Sequence, residues 1–203
     1  MRYNFKALPS TRLTMEVIVK NLLLTLLIIL QAGCASTNVS SFRDPSIQDK
    51  TYKCIIIFVN ESNLAYRRQM ENALSDKLLN YGVKGLKAID FILPTRQYTV
   101  EQLNETIKNT KAEAILAITI NNAHANTNYI PTGDGMVPIT TSSAIADIAL
   151  FDILSGKTVW IANANINCNG LPWNDSISAM INSGSDAVVE KMKEDKLLNN
   201  EKR

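Results

Sequence analysis

Residues 146–160 read ADIALFDILSGKTVW, and they give the strongest indication of the fold. Two runs rich in β-branched and other apolar residues flank the dipeptide Ser155-Gly156. A two-residue loop of this kind between such runs is typical of a tight β-hairpin. The stretch therefore predicts antiparallel strands over residues 141–154 and 157–167. This loop would place Phe151 opposite Trp160, a cross-strand pair that would fix the register.

The segments before this hairpin contain further strand patterns. Residues 54–59 (CIIIFV) and 113–120 (EAILAITI) are nearly continuous apolar runs, as in strands buried on both faces. Residues 83–93 also have a strand pattern, which ends at Pro94. We therefore expect three strands before the hairpin and a sheet of about five strands in all.

Helical patterns separate the strands. Apolar residues at helical spacing predict a helix over residues 64–81, and Gly82 follows where a glycine cap belongs. Thr99 and Gln102 have the spacing of a capping box at the start of a short helix. Asp175 can cap a last helix. The element order is then β-α-β-α-β-β-β-α, an α/β (α+β) sandwich with one mixed sheet and helices mainly on one face.

The N-terminal segment has the pattern of a secretory signal peptide. Lys20 precedes the apolar run LLLTLLIIL (residues 22–30), and small residues follow before Cys34. The run is shorter than the ~20 residues that a membrane-spanning helix needs. We therefore interpret residues 1–33 as a leader. Met15 would give a compact basic start by itself, so translation beginning at Met15 is an alternative.

Residues 32–34 (AGC) resemble the lipobox of bacterial lipoproteins. That resemblance implies that Cys34 is lipidated and becomes the first residue of the mature protein. The sequence departs from the pattern at Gln31, where leucine is usual. Ala35 implies sorting to the outer membrane, with the domain facing the periplasm; inner-membrane retention and surface exposure stay open. Several acyl chains would make the attachment to the bilayer effectively permanent.

The polar segment after Cys34 lacks apolar periodicity. We therefore expect residues 34–50 to form a flexible tether, residues 51–198 to form one periplasmic α/β domain and residues 199–203 to form a tail. The formal net charge of the whole chain is +2, and the leader carries +3 of it, so the mature protein is at −1. A domain so close to neutral has no general attraction for nucleic acid.

Two stretches resemble a group of periplasmic α/β domains. Residues 112–120 (AEAILAITI) and 146–160 carry the likeness, the second resembling a hairpin common in these lipoproteins, with Ser155 where threonine is usual. The group comprises the N-terminal domain of TolB, the lipoprotein activators of penicillin-binding proteins and the curli-secretion lipoprotein. Its members are generally non-enzymatic and bind other envelope proteins, and that is what the resemblance implies here.

The sequence contains no catalytic or metal-binding motif that we can defend, and no cofactor is expected. His124 is the only histidine, and it lies in a polar segment without a nucleophile turn. A metal site would need several clustered ligands, and His124 and Asp134 have no further partners at suitable spacing. We expect a protein that is not an enzyme. Envelope hydrolysis or small-ligand binding would need His124 to converge with Asp147 or Asp152.

Two further features leave alternatives open. Export would place Cys54 and Cys168 in an oxidising compartment, where they could form a disulfide or stay two separate thiols. Residues 121–140 form a connection of unusual length, which favours either a functional loop or a hairpin extension. Partner contact is expected at four apolar side chains: Tyr129, Ile130, Met136 and Trp173.

The function that the sequence favours is that of a membrane-anchored binding or assembly factor in envelope biogenesis or secretion. Its expected partners are the lipid bilayer, through Cys34, and other envelope proteins. One alternative is an envelope small-ligand binder or hydrolase. Another is a structural subunit that oligomerises through its edge strands. The sequence leaves the oligomeric state open.

Overall fold

The computed structural model describes residues 34–47, 50–133, 135–170 and 176–199, with Cys34, Gly170 and Ser176 described through their backbone alone. The 3-10 helices Pro45–Ile47 and Ala88–Asp90 lie between larger elements. Those elements, in chain order, are β1 Cys34–Arg43, β2 Cys54–Asn60, α1 Leu64–Leu79, β3 Lys84–Lys87, α2 Val100–Asn109, β4 Ala114–Thr132, β5 Gly135–Asp152, β6 Lys157–Gly170 and α3 Ser176–Glu194.

The strands form one mixed sheet in the order β1-β6-β5-β4-β2-β3. Strand β2 runs parallel to β3 and β4, and the remaining pairs are antiparallel. Side chains of α1 and α3 join the inward-facing residues of the sheet in a single buried cluster. The predicted fold class is thus confirmed, with six strands in place of about five.

The additional strand is β1, which occupies residues that the sequence suggested were a tether. All ten residues of β1 pair with β6, from Cys34 opposite Asn169 to Arg43 opposite Trp160. Ala35 and Val39 pack against the core. The expectation of a flexible tether was wrong for residues 34–43, because the polar side chains of this strand bind α3 and the segment that follows it.

Three contacts hold β1 in place. The hydroxyls of Thr37 and Ser183 are 2.8 Å apart, and the hydroxyl of Ser41 donates to the carboxylate of Asp195. The guanidinium of Arg43 donates to the backbone carbonyl of Asp195 at 2.5 Å. These partners lie far apart in sequence, so composition alone made the segment look unstructured.

The hairpin of β5 and β6 forms where the sequence predicted it, with a different register. Trp160 lies opposite Leu150, and Phe151 lies opposite Thr158 after an irregularity between Leu150 and Phe151. The expected Phe151–Trp160 pair was therefore wrong by one position. This one-residue difference in register places each β5 side chain on the face of the sheet opposite to the one expected. Leu150 is fully buried while Phe151 is 37% exposed.

Helix α1 buries an ion pair between Arg67 and Glu71. Arg67 and Glu71 face inward together with Leu74 and Leu78. The Nε atom of Arg67 donates to Glu71 at 3.0 Å, and the guanidinium lies 5.1 Å from the ring centre of Phe58. The carboxylate of Glu71 also accepts from the backbone N–H groups of Val59 in β2 and Ile89 in the 3-10 helix, which links α1 to both segments.

The boundaries of the other predicted elements are partly changed. Helix α1 ends at Leu79, and the strand expected over residues 83–93 is only Lys84–Lys87, followed by a 3-10 helix. The capping box of α2 is confirmed, with Thr99 accepting from the backbone of Gln102 and Gln102 accepting from that of Thr99. Asp175, the expected cap of α3, lies outside the described residues.

The last residue of β5, Asp152, has a buried carboxylate. Asp152 is fully buried, forms an ion pair with Lys50 and accepts hydrogen bonds from the hydroxyl of Tyr52 at 3.0 Å and the backbone N–H of Ser155 at 2.7 Å. Burial by itself raises the pKa of Asp152, but the hydrogen bonds from Lys50, Ser155 and Tyr52 outweigh it and lower that pKa to about 2.

We expect Asp152 to make the stability of the protein sensitive to acid. A lowered pKa contributes stability above the ordinary aspartate value, and this is lost as the pH falls from about 4 to about 2. The loss should be on the order of 1–2 kcal/mol, since Lys50 is partly exposed. Urea titrations across this range measure it. The Asp152→Asn variant should lack this acid-dependent component, and an unchanged slope in that variant would contradict the assignment.

Candidate functional site

The β4–β5 hairpin extends far beyond the rest of the sheet. The pairing of β4 with β2 ends at Thr119, and the pairing of β5 with β6 ends at Thr140. Beyond these points the two strands pair only with each other, up to Thr132 opposite Gly135. We call residues 121–140 the arm. The long connection expected from the sequence is thus a hairpin extension, regular to its tip.

The arm exposes the apolar side chains that were predicted to contact a partner. Tyr129 is 65% exposed, Ile130 is 47% exposed and Met136 is 69% exposed. Ile130 lies opposite Val137, and Met136 lies opposite Pro131. Trp173, the fourth predicted contact, lies outside the described residues.

The edges of the arm carry few features that discourage pairing with another chain. Within the described part of the arm there is no lysine, arginine or glutamate, and the titratable side chains are His124 and Tyr129. Protein edges are normally protected by charged residues, bulges or prolines. Here, Pro131 and Pro138 remove two backbone donors near the tip, and the lower part of the arm is unprotected.

The arm and Cys34 lie toward the same end of the sheet. Cys34 pairs with Asn169, Asn169 pairs with Thr141, and Thr141 pairs with Asn126, so these residues form one row across four strands. From Asn126 the arm runs six residues farther, to Thr132, which is about 20 Å in an extended strand. The arm therefore projects past the row that contains Cys34.

A second feature is a cleft on the helical face, beside the base of the arm. Its volume is about 240 Å³. Side chains of α1, α3 and the sheet line it, and the lining is almost entirely apolar, with Met70, Met180 and Ile166 among the larger residues. Ala144, Ala146 and other small residues leave the space between these larger side chains.

The groups required for a hydrolytic site do not converge. His124 is exposed and lies opposite Ser143, four residues along β5 from Asp147, or about 14 Å. Asp147 accepts a hydrogen bond from the side chain of Asn163 at 2.8 Å. Asp152 is at the far end of β5, bound to Lys50. The arrangement proposed for a hydrolase, His124 with Asp147 or Asp152, is therefore not formed.

Cys54 and Cys168 do not form a disulfide with each other. Cys54 begins β2 and Cys168 lies in β6, and strands β4 and β5 separate them. Three strand spacings amount to about 14 Å, whereas the Cα atoms of a disulfide lie within about 7 Å. Of the two alternatives for this pair, the structure selects the one without a mutual disulfide.

The described part of the chain also bears on membrane spanning and metal binding. None of its helices combines the length and the apolar character needed to cross a membrane. Across residues 34–47, 50–133, 135–170 and 176–199, no three His, Cys, Asp or Glu side chains are grouped so as to hold a metal ion.

Sequence reasoning missed two serines that line the cleft. Ser142 and Ser185 are each only 5% exposed. A signal was present, because Ser142 continues the alternating pattern of Ala144, Ala146 and Ile148 on the buried face of β5. The wrong register for this strand concealed that pattern.

No model of a known protein family matches the chain, and a search of curated proteins finds no match either. Several solved structures have a similar backbone trace. The PelC dodecamer from Paraburkholderia phytofirmans has 14% sequence identity and a TM-score of 0.45, with 81% of this chain and 99% of that chain covered.

Two lipoproteins are among the other similar structures. Lipoprotein GNA1162 from Neisseria meningitidis has 20% identity and a TM-score of 0.41, covering 70% of this chain and 98% of that one. A minor lipoprotein from Acinetobacter baumannii has 9% identity and a TM-score of 0.34, covering 73% and 97%. Every one of these TM-scores is below 0.5, so these similarities carry no argument about the function of this chain.

Proposed function

We propose that this protein is a lipid-anchored, non-enzymatic binding or assembly factor of the bacterial envelope, and that the arm is its contact surface. The observation that carries the proposal is the exposure of Tyr129, Ile130 and Met136 on a hairpin that leaves the sheet. A two-stranded hairpin is marginally stable by itself in water, so a partner that covers it would stabilise it. Aromatic residues and methionine are also enriched at protein interfaces.

The position of the arm supports the same proposal. The leader pattern and the residues before Cys34 indicate lipidation at that cysteine. Because β1 begins at Cys34 itself, little free chain would separate the domain from its anchor. The arm would then lie at the membrane-proximal end of the domain, and we expect its partner to be an envelope protein that is also held at the membrane. Outer-membrane sorting remains part of the proposal, resting on Ala35.

Photo-crosslinking in intact cells tests the contact surface. A photoreactive phenylalanine analogue at Tyr129 should give a discrete protein adduct, because this side chain is exposed on the arm. The matched control is the same analogue at Leu154. This residue is 89% exposed at the turn between β5 and β6 and is not part of the arm. Adducts of equal yield at both positions, or none at Tyr129, would count against the arm as the contact surface.

A further inference from the structure

The cleft on the helical face contains a combination of features that packing alone does not require. Its volume of about 240 Å³ exceeds the ~150 Å³ of a cavity that holds benzene. Protein interiors are normally close-packed, with few voids larger than a water molecule. Space of this size, lined by side chains such as Met70, Ile166 and Met180, is suited to a chain of several carbon atoms.

Two buried serines line the cleft. Ser142 and Ser185 are at least nine-tenths buried and line the cleft. Within the described segments of the chain, neither side chain forms a hydrogen bond. Neither hydroxyl is among the fully inaccessible side-chain atoms that lack a partner, so both are open to the cleft, where each can donate to or accept from a ligand oxygen. The cleft therefore has an apolar wall and one small polar region, formed by Ser142 and Ser185.

The chemistry of the lining restricts the ligand class. A sugar or nucleotide carries many polar groups, which would lose water in the cleft without finding partners. A peptide strand would likewise leave its backbone groups unpaired. Glu61 and His124 also line the cleft, and the negative charge of Glu61 disfavours an anionic head group. What remains is a molecule with one aliphatic tail and one small, uncharged, oxygen-bearing end.

We propose that the cleft between α1, α3 and the sheet binds a single-chain neutral amphiphile, an alcohol or ester of an aliphatic chain. The tail lies along Met70, Met180 and Ile166, and the head group oxygen hydrogen-bonds to Ser142 and Ser185. The cleft includes residues 123–125 at the base of the arm but none of Tyr129, Ile130 and Met136, so the two proposals are tested on different side chains.

Methionine methyl NMR tests this directly, because the methionines lie in different environments. Mature protein with 13C-labelled methionine methyl groups, in phosphatidylcholine nanodiscs, is titrated with 1-decanol. The Met70 and Met180 signals should shift and saturate at submillimolar decanol. Met192 is fully buried and does not line the cleft, so its signal should stay in place and report an intact fold. No saturable shift at Met70 and Met180 would overturn the proposal, whatever else occupies the cleft.

Variants of one strand supply the matched comparison. Ala146→Leu places extra carbons in the cleft and should abolish the saturable shift, whereas Ala149→Leu alters a residue on the other face of β5 and should leave it unchanged. The Ser142→Ala, Ser185→Ala double variant should weaken binding about threefold to tenfold, as expected for the loss of one or two hydrogen bonds. Equal binding by Ala146→Leu and Ala149→Leu would also overturn the proposal.

Discussion

Replacing Glu71 by alanine is expected to lower the free energy of unfolding by about 3–5 kcal/mol. The carboxylate of Glu71 is fully buried and accepts from three donors: the backbone N–H groups of Val59 at 3.3 Å and Ile89 at 2.9 Å, and Nε of Arg67 at 3.0 Å. The alanine would leave a buried guanidinium without its counter-charge and two backbone donors without an acceptor. Urea unfolding followed by circular dichroism measures the change.

Two comparison variants separate this effect from ordinary loss of a glutamate. Glu105→Ala removes an exposed glutamate from α2 and should change the free energy of unfolding by less than about 0.5 kcal/mol. Adding Arg67→Met to Glu71→Ala removes the uncompensated charge and should recover part of the loss. If Glu71→Ala were no more destabilising than Glu105→Ala, the buried ion pair would not have the role that we give it.

Replacing Cys34 by serine is expected to release the protein from the membrane almost completely. Serine cannot form the thioether on which lipidation of this class of protein depends, and the acyl chains supply the attachment, at ~0.8 kcal/mol for each buried CH₂. Fractionation of cells into membrane and soluble material, followed by immunoblotting, measures the distribution. Persistence of the serine variant in the membrane fraction would refute lipid anchoring at Cys34.

The control for this experiment is another cysteine of the same chain. Cys54 begins β2 and is half-buried, with no disulfide to Cys168, so Cys54→Ser should leave membrane attachment unchanged. Loss of attachment in both variants would point to a general defect in export or folding. The comparison therefore tests the anchor and not the fold.

Much of the fold was predictable because its signals are local. The apolar runs of β2 and of the first half of β4 are buried on the helical face, with Ile55, Ile57, Ala114 and Leu116 fully inaccessible. The capping box at Thr99 depends on two side chains three residues apart, and the structure contains it. Patterns of this kind are complete within a few residues, so sequence reasoning recovers them.

Features that depend on distant partners were predicted poorly. Strand β1 is stabilised by β6 and α3, so its polar sequence, CASTNVSSFR, carried no sign of a strand. The register of the hairpin depends on the irregularity at Leu150 and on the core beneath it, and the turn sequence alone placed it one residue away. The burial of the Arg67–Glu71 pair has no local signal, because it depends on the backbone N–H groups of Val59 and Ile89, which donate to Glu71 from other segments.

The same distinction applies to the candidate sites. Tyr129, Ile130 and Met136 were singled out from the sequence because apolar residues in a long connection are unusual, and their exposure agrees with that reasoning. Strand pairing was needed to show that the connection is a regular arm and that it lies toward the same end of the sheet as Cys34. The cleft could not be predicted, because α1, α3 and the sheet that line it are brought together only by folding.

Local sequence patterns were enough to infer the class of fold and the order of most elements, and they predict a leader and an anchor at Cys34. These depend on periodicity, caps and short motifs, whose physical cause lies within one segment of chain. Tertiary contacts were needed to establish that residues 34–43 join the sheet, that β4 and β5 continue as an arm, and that Ser142 and Ser185 line one cleft. Those outcomes depend on burial and hydrogen bonding between residues that are remote in sequence, and no local pattern encodes them.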